Sequence, residues 1–570
     1  MSLAVLALLA SPADACGGMF CNNAQPTMQA AERIAFAIDE AAGEVEAHVQ
    51  ITYTGESKDF AWIVPVSGEP ELFLSTDDLF AALYFPTNPA FSTTMRVDGE
   101  CKSESRGGIF QNESALSDAG GSSTDFDSTG TVNVVSQKAV GPYETVTLEA
   151  GTSEGLLNWL QENGYDLPDN LGPALDPYVS DGMSFVALRL KPDSTTGDIA
   201  PLGMRYAGTK ASVPIQLTSI AAVPDTRLEV YVFAKARVVP ESYLHVIPND
   251  MAYDWFQQTV VYDDIVTLAA NEAGGHAFAT DFAGETASLR GLVWNTSTLD
   301  MEQLRTQAPV SWMQEVMDAA AQTAGSGGGY YSYSNALSDP NLTAVLREVL
   351  PLPAHLVNQT TEINWWSCLE CYPAELEDLQ WDANAATTAL SLGWVEPLER
   401  AEALIASYPH ISRLTSSLDA LEMTVDPVFV VNEDMAQSVS PTHTATLVYD
   451  CASRRTTFGE APRQLIFPDG TAVDLPSEQW FADNGTTEYA YLQDLAAINA
   501  AVIEKTGASG DAQPVSDQRG ALAEIVARLN ASFADEFGKG GCGCDGGAGA
   551  PVMPLGVLAA TLLLRRRKRA

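Results

Sequence analysis

The sequence predicts an α+β fold: an antiparallel-sheet-rich body with helical segments, plus one C-terminal hydrophobic helix. Three observations carry this. Apolar and polar residues alternate through AERIAFAIDE (31–40), EVEAHVQITYTG (44–55) and FAWIVPVSG (60–68), the period-two pattern of strands with one dry face. Helical stretches interrupt it, as in 151–168, where Leu156, Leu157 and Leu160 share a face and Asn163-Gly164 closes the C-terminal end. An apolar share of 46% over 570 residues is too high for a disordered chain and enough for a large core.

In chain order, Leu3–Ala10 is a short apolar run and Ala13-Asp14-Ala15 a small-x-small cleavage site before Cys16. Together they predict a secretory signal peptide over 1–15, cut after Ala15 by signal peptidase. No Lys or Arg precedes the run, as expected if the true start lies upstream. Acylation of Cys16 is a weaker reading, because Asp14 fits a lipoprotein signal badly.

Residues 16–102 form an N-terminal β-rich part. It is expected to contain a helix over Thr76–Tyr84, with Ser75 as its N-cap and Asp77 and Asp78 in the first turn. Ser, Gly, Asp and Asn dominate 103–130, a flexible acidic linker. A second β-rich part spans 131–300, with MSFVALRLKP, SVPIQLTSIAA and RLEVYVFAKARVVP reading as further antiparallel strands. Residues 301–425 read as mainly helical, with helices expected over Ala308–Thr323, Asp378–Leu392 and Pro397–Ser407. The C-terminal α+β part, 426–537, holds strands VFVVN and TATLVYDC, a hairpin at Pro468-Asp469-Gly470, and two closing helices over 487–503 and 517–536.

The tail is an address. A Gly/Cys motif at 538–547 carries Cys542 and Cys544, an apolar helix follows over 548–564, and 565–570 is a basic end. Counted from Gly546 to Leu564 as one helix, at 1.5 Å per residue, the segment reaches about 28 Å, just matching a hydrocarbon core of about 30 Å. Pro551 and Pro554 confine the firm helix to Leu555–Leu564, and Arg565–Arg569 would stay in the cytoplasm. The arrangement resembles the MYXO-CTERM class of bacterial C-terminal sorting signals. That resemblance implies cleavage near the cysteines by a sorting protease, modification of a cysteine, and transfer to the cell surface. The plainer alternative is an uncut membrane anchor.

Charge narrows the partners. Acidic residues number 74 against 30 basic ones, a net charge of −44. Such a surface repels nucleic acid and anionic lipid. No nucleic-acid partner is expected. Of eight cysteines, six lie in the body, enough for three bridges in an oxidising compartment. Local pairs Cys16–Cys21 and Cys368–Cys371 would leave Cys101 for Cys451, one of the many pairings that six cysteines allow.

Four stretches together resemble the bacterial family catalogued as domain of unknown function 2330. They are ACGGMFC (15–21), NEAGGHAFATDFAG (271–284), Trp365-Trp366-Ser367-Cys368-Leu369-Glu370-Cys371, and PHISRLTSSLDALEMTVDPVF (409–429). The resemblance spans most of 15–455 and implies an exported protein, without an assigned reaction. The family's Cys-x-x-Cys usually reads Cys-Asp-Pro-Cys; Leu369-Glu370 departs from it.

Two motifs are candidates for chemistry. Gly151-Thr152-Ser153-Glu154-Gly155 fits G-x-S-x-G between a strand and a helix, the context of a nucleophile elbow. An elbow needs a His; His245, His276, His355, His410 and His443 are available and no neighbour singles one out. A helix cap by Thr152 or Ser153 explains the segment more simply. Cys368 and Cys371 could be a redox pair, but the surrounding pattern is not βαβ, and no second Cys-x-x-Cys supplies a zinc site. A structural disulfide is the simpler reading. No stretch follows a calcium loop, so neither cofactor nor metal is expected. Asp77-Asp78 and Asp263-Asp264 read as solvated. Tyr330–Tyr333 and Trp365–Trp366 are candidates for an aromatic surface, with burial favoured for the tryptophans.

The sequence therefore describes an exported, membrane- or surface-anchored envelope protein with a structural, adhesive or ligand-binding role. An exported enzyme, acting through Ser153 or through Cys368 and Cys371, is the alternative.

Overall fold

In the computed structural model the described residues are 19–20, 28–54, 61–101, 133–163, 165, 171–191, 199–220, 222–294, 296–322, 337, 339–451 and 456–537. The signal segment, Cys16 and Cys21, the linker, Tyr330–Tyr333, and the tail with Cys542, Cys544 and the expected hydrophobic helix lie outside them. Among the described residues no helix is long and apolar enough to cross a membrane.

A ten-stranded sheet organises the body. Its strands are β1 (Met28–Asp39), β2 (Glu44–Thr54), β3 (Glu71–Leu74), β4 (Leu202–Ala207), β5 (Ala222–Ala234), β6 (Leu244–Pro248), β7 (Ala277–Glu285), β8 (His410–Leu418), β9 (Ala500–Lys505) and β10 (Gln513–Asp517). Their spatial order is β10-β9-β6-β7-β8-β5-β1-β2-β4-β3. Neighbours run antiparallel except for β1 with β5 and β6 with β7, which are parallel. Alternation in the sequence fixes which residues share a face but not the direction of the neighbour, so these parallel pairs were not readable in advance. All four body segments divided in the sequence contribute strands to this sheet.

The two faces differ. Ile34, Phe36, Val45, Ala47, Leu228, Val230, Val232 and Leu414 form a dry core on one face. A five-stranded sheet covers part of it through Trp62, Val64, Val186 and Leu188. That second sheet turns Ile63, Leu148, Phe185 and Ala187 outward, against the helices Ser153–Glu162 and Leu171–Ser180. On the other face of the large sheet, Ala35, Ala37, Tyr231 and Phe233 meet a helical layer built from Asp77–Thr87, Pro309–Gln322, Pro340–Val349 and Glu396–Ser407. A four-stranded sheet with the helix Arg519–Phe537 closes a separate core around Leu465, Val473 and Leu522.

Several sequence expectations shift. The first helix is Asp77–Thr87 and its N-cap is Thr76, not Ser75, because the Ser75 hydroxyl is taken up by His48. The helix expected over 487–503 is instead a short helix Glu488–Tyr491, a 3-10 turn Leu495–Ala497 and strand β9. Val502 and Ile503 pair there with β6, and β-branched side chains suit that pleated surface. The helix expected over Asp378–Leu392 is two, Pro373–Asp378 and Ala383–Leu390; Asp382 caps the second through Asn384 N and Ala385 N.

Candidate functional site

Ser153 opens the helix Ser153–Glu162, and Thr152 caps it, accepting from Gly155 N at 3.0 Å. The Ser153 hydroxyl donates to Asp176 Oδ1 at 2.5 Å. A nucleophile elbow holds its serine in strained, positive-φ backbone. Among the described residues the non-glycine positive φ values belong to Asp225 and Gln258. The imidazoles hydrogen-bond elsewhere: His276 to Glu422 O, His410 to Gln437 O, His355 to Glu375 and His443 to Asp250. Ser153 thus sits in the geometry of a helix start.

Cys368 and Cys371 are joined, as are Cys101 and Cys451. The first pair flanks the 3-10 turn Leu369–Cys371 between two short helices. Trp365 and Trp366 beside it are buried, and both indole N–H groups donate to Leu350 O, at 3.0 and 2.9 Å. They form core, not a surface.

The sheet carries three polar arrangements that the sequence did not single out. Arg413, fully enclosed on β8, lies 3.4 Å from Glu229 Oε2 and 3.3 Å from Asp281 Oδ2. Arg33 and Arg227 reach the same Glu229 at 3.2 and 2.9 Å. Thr415 and Tyr262 donate to Asp281 at 2.5 and 2.9 Å. This is a closed lattice of opposite charges under the helical layer. Such a lattice holds strand register at the cost of desolvation.

The other two arrangements are imidazole relays. In the first, His48 Nδ1 is 2.7 Å from Ser75 Oγ and Nε2 is 3.0 Å from Glu46 Oε1. Ser75 and His48 are 2% and 1% exposed, so the hydroxyl is sealed. Arg205 Nη2 sits 2.5 Å from Glu46 Oε2 and Arg400 Nη1 3.9 Å from it. Burial opposes ionisation of Glu46, but the His48 imidazole and the Arg205 guanidinium outweigh it and hold the pKa at about 2.

In the second relay, His245 Nδ1 is 2.8 Å from Glu504 Oε1 and Nε2 is 2.9 Å from Thr280 Oγ1. A carboxylate only accepts, so Nδ1 carries the proton, Nε2 is the acceptor, and the Thr280 hydroxyl donates to it. His245 is buried, whereas Thr280 is half-buried. Arg237 Nη2 lies 3.4 Å from the same Thr280 oxygen, and its Nη1 donates to Ala436 O at 3.0 Å. Arg237 is 5% exposed and its Nε lacks a hydrogen-bond partner. Burial pushes its pKa below the ordinary guanidinium value, against the pull of Glu504.

Several carboxylates are raised instead, Asp78 and Asp339 among them. Asp78 and Asp339, expected solvated or unremarked from sequence, sit half-buried at the starts of two helices of the helical layer. Burial raises Asp78 to about 7 despite the N–H of Trp294, and the charges of Asp339 and Asp77 add to the rise. Burial likewise raises Asp339 to about 6 although Trp394 and the start of the helix Pro340–Val349 donate to it. Asp263, by contrast, is exposed and paired with Arg227. Among the described residues no group of three or more His, Cys, Asp and Glu side chains could hold a metal ion. A groove of about 370 Å3 beside the helix Pro309–Gln322 is lined by Thr298, Ser311, Gln314, Glu315, Asp318 and Ala319, and shares no residue with either relay.

These features define a sheet-centred α+β protein with a disulfide-tied body and buried polar relays between its strands. Residues 10–292 match the model of the family described as Uncharacterized protein conserved in bacteria (DUF2330). Two of the four stretches that carried the resemblance, 15–21 and 271–284, fall inside that match; the Cys368 segment and 409–429 fall outside it. No curated protein and no solved structure matches the chain.

Proposed function

We propose that this chain is an exported bacterial envelope protein, held at the membrane or cell surface by its C-terminal tail, whose body has a structural, adhesive or ligand-binding role. The observation that carries the reading is the bond between Cys101 and Cys451, which closes 350 residues of chain beside the parallel strands Ala90–Gly99 and Thr442–Cys451. Cys451 is 1% exposed. Such a bond persists where the compartment is oxidising and is rare in a reducing cytosol. The signal-like start, the Cys542 and Cys544 motif, and Leu555–Leu564 followed by Arg565–Arg569 point the same way.

The enzymatic alternatives have less support. Ser153 has a carboxylate rather than an imidazole on its hydroxyl, and the Cys368–Cys371 pair lacks a βαβ setting. Cell fractionation with thiol alkylation and intact mass tests the location. The account expects an envelope-associated protein, shaved from intact cells by added protease, with no alkylatable body thiol. Full-length cytosolic protein with all thiols free would overturn it.

A further inference from the structure

We infer that Thr280, His245, Glu504 and Arg237 form a nucleophilic centre that takes the acyl group of a carboxylic ester and passes it to water. The inference goes beyond the envelope role. It uses side chains that role leaves idle and does not depend on where the body is displayed.

Topology builds the row. β9, β6 and β7 lie side by side, and the register sets Glu504 opposite His245 and His245 opposite Phe278. Carboxylate, imidazole and hydroxyl then follow one another across the sheet at 2.8 and 2.9 Å. A bulge on β7 skips Asp281 between Thr280 and Phe282 in the pairing with β8. Bulges re-aim side chains beside active sites. Here Asp281 goes to the Arg413 lattice while Thr280 goes to His245. The order nucleophile, base, orienting carboxylate is the one that nucleophilic catalysis requires, with each contact inside hydrogen-bond reach.

Two observations exceed what a purely structural relay needs. Thr280 keeps part of its surface in solvent, unlike the sealed Ser75, and that open side is where a small ester would enter. The Arg237 guanidinium is buried beside that hydroxyl with its Nε unpartnered and no carboxylate within ion-pair distance among the described residues. An uncompensated buried cation is costly. It is well placed to stabilise negative charge that appears only during reaction.

The steps balance. Thr280 Oγ1 attacks the ester carbonyl carbon while its proton passes to His245 Nε2. The bond from that carbon to the leaving alcohol oxygen breaks, and the alcohol departs with the proton from Nε2. Water then attacks the threonyl ester, giving a proton to Nε2. The carboxylic acid leaves, and Thr280 recovers the proton. Glu504 stays ionised and positions the ring through Nδ1; Arg237 faces the oxyanion in both halves. Thr280 and His245 are the catalytic residues, and Glu504 is a positioning residue.

The test exposes the full chain to p-nitrophenyl acetate, quenches in acid and maps acetylated peptides by mass spectrometry, with a melting curve for every variant. The expected result is an acetyl group on Thr280, kept at that position in Thr280→Ser and absent there in Thr280→Val. His245→Gln should slow acetylation about 100-fold, the scale of a lost general base. Glu504→Gln should displace the pH profile of acetylation, which a merely structural carboxylate would leave in place. Folded parent protein without acetyl on Thr280, or acetylation at the parent rate in His245→Gln, would overturn the inference. Should His245→Gln fail to fold, Thr280→Ser decides: no acetyl at that position in a folded variant also overturns it.

Discussion

In the relay of β2 and β3, the guanidinium groups of Arg205 and Arg400 lie on the Glu46 carboxylate, at the far end from Ser75. In the relay of β9, β6 and β7, the guanidinium of Arg237 lies on the Thr280 hydroxyl, at the far end from Glu504. The residue types are nearly the same, and the register places the two on opposite faces of one sheet. Cations on a carboxylate share its charge, so less of it is directed along the row toward Ser75. A cation on the hydroxyl oxygen lowers the cost of the alkoxide. Solvent access differs in the same sense: Ser75 is sealed and Thr280 half-open. A hydroxyl–imidazole–carboxylate row is therefore not by itself a catalytic device; the position of the neighbouring charge and the open end decide its use.

That contrast can be broken by mutation, and stability should respond most on the sealed side. Glu46→Gln leaves Arg205 and Arg400 with Glu71 alone and gives His48 an amide in place of a carboxylate. The loss in denaturant unfolding should be roughly 3 kcal/mol, toward the low end for a broken buried pair because Arg205 keeps some water. Ser75→Ala leaves a buried ring nitrogen without its partner, costing about 1–3 kcal/mol. Thr280→Val should cost under about 1 kcal/mol, since water can reach His245 through the half-open site. Equal losses in Ser75→Ala and Thr280→Val would erase the distinction between the two.

The pH dependence sharpens the picture around the sealed relay. Glu46 has a folded pKa of about 2, below its usual 4.5, so its contribution is present above that usual value and is lost as pH falls through about 2. Asp78, three residues beyond Ser75, has a folded pKa of about 7, above its usual 3.8. Its contribution is complete below 3.8 and is lost as pH rises through about 7. The melting temperature should thus fall on both flanks. Asp78→Asn should flatten the decline between about pH 4 and pH 7 and leave the acid limb in place. An unchanged decline on that side would remove Asp78 from the account.

Much of the sheet was legible because alternation survives in AERIAFAIDE and EVEAHVQITYTG, which pair as β1 and β2. The hairpin around Pro468-Asp469-Gly470 was legible from its turn residues, with Gly470 at φ 87°. Strand β9 was not, because Ala496, Ala497, Ala500 and Ala501 lead into Val502 and Ile503 and make the segment look helical. The second relay was half visible. Thr280 lies in a stretch that carried the family resemblance, and His245 was among the imidazoles considered. What joins them is Glu504, 259 residues from His245, supplied by a strand whose placement only tertiary pairing decides. Asp78 reads as part of a solvated helix start because the groups around it, Trp294 and Asp339, come from far along the chain.

The sharpest single test places one sample of full-length protein with an alkyl fluorophosphonate and asks by peptide mapping which hydroxyl carries the phosphonyl group. The account predicts an adduct on Thr280, with Ser75 and Ser153 unmodified while the protein stays folded. A phosphonyl group on Ser75 or Ser153 with Thr280 bare would contradict it.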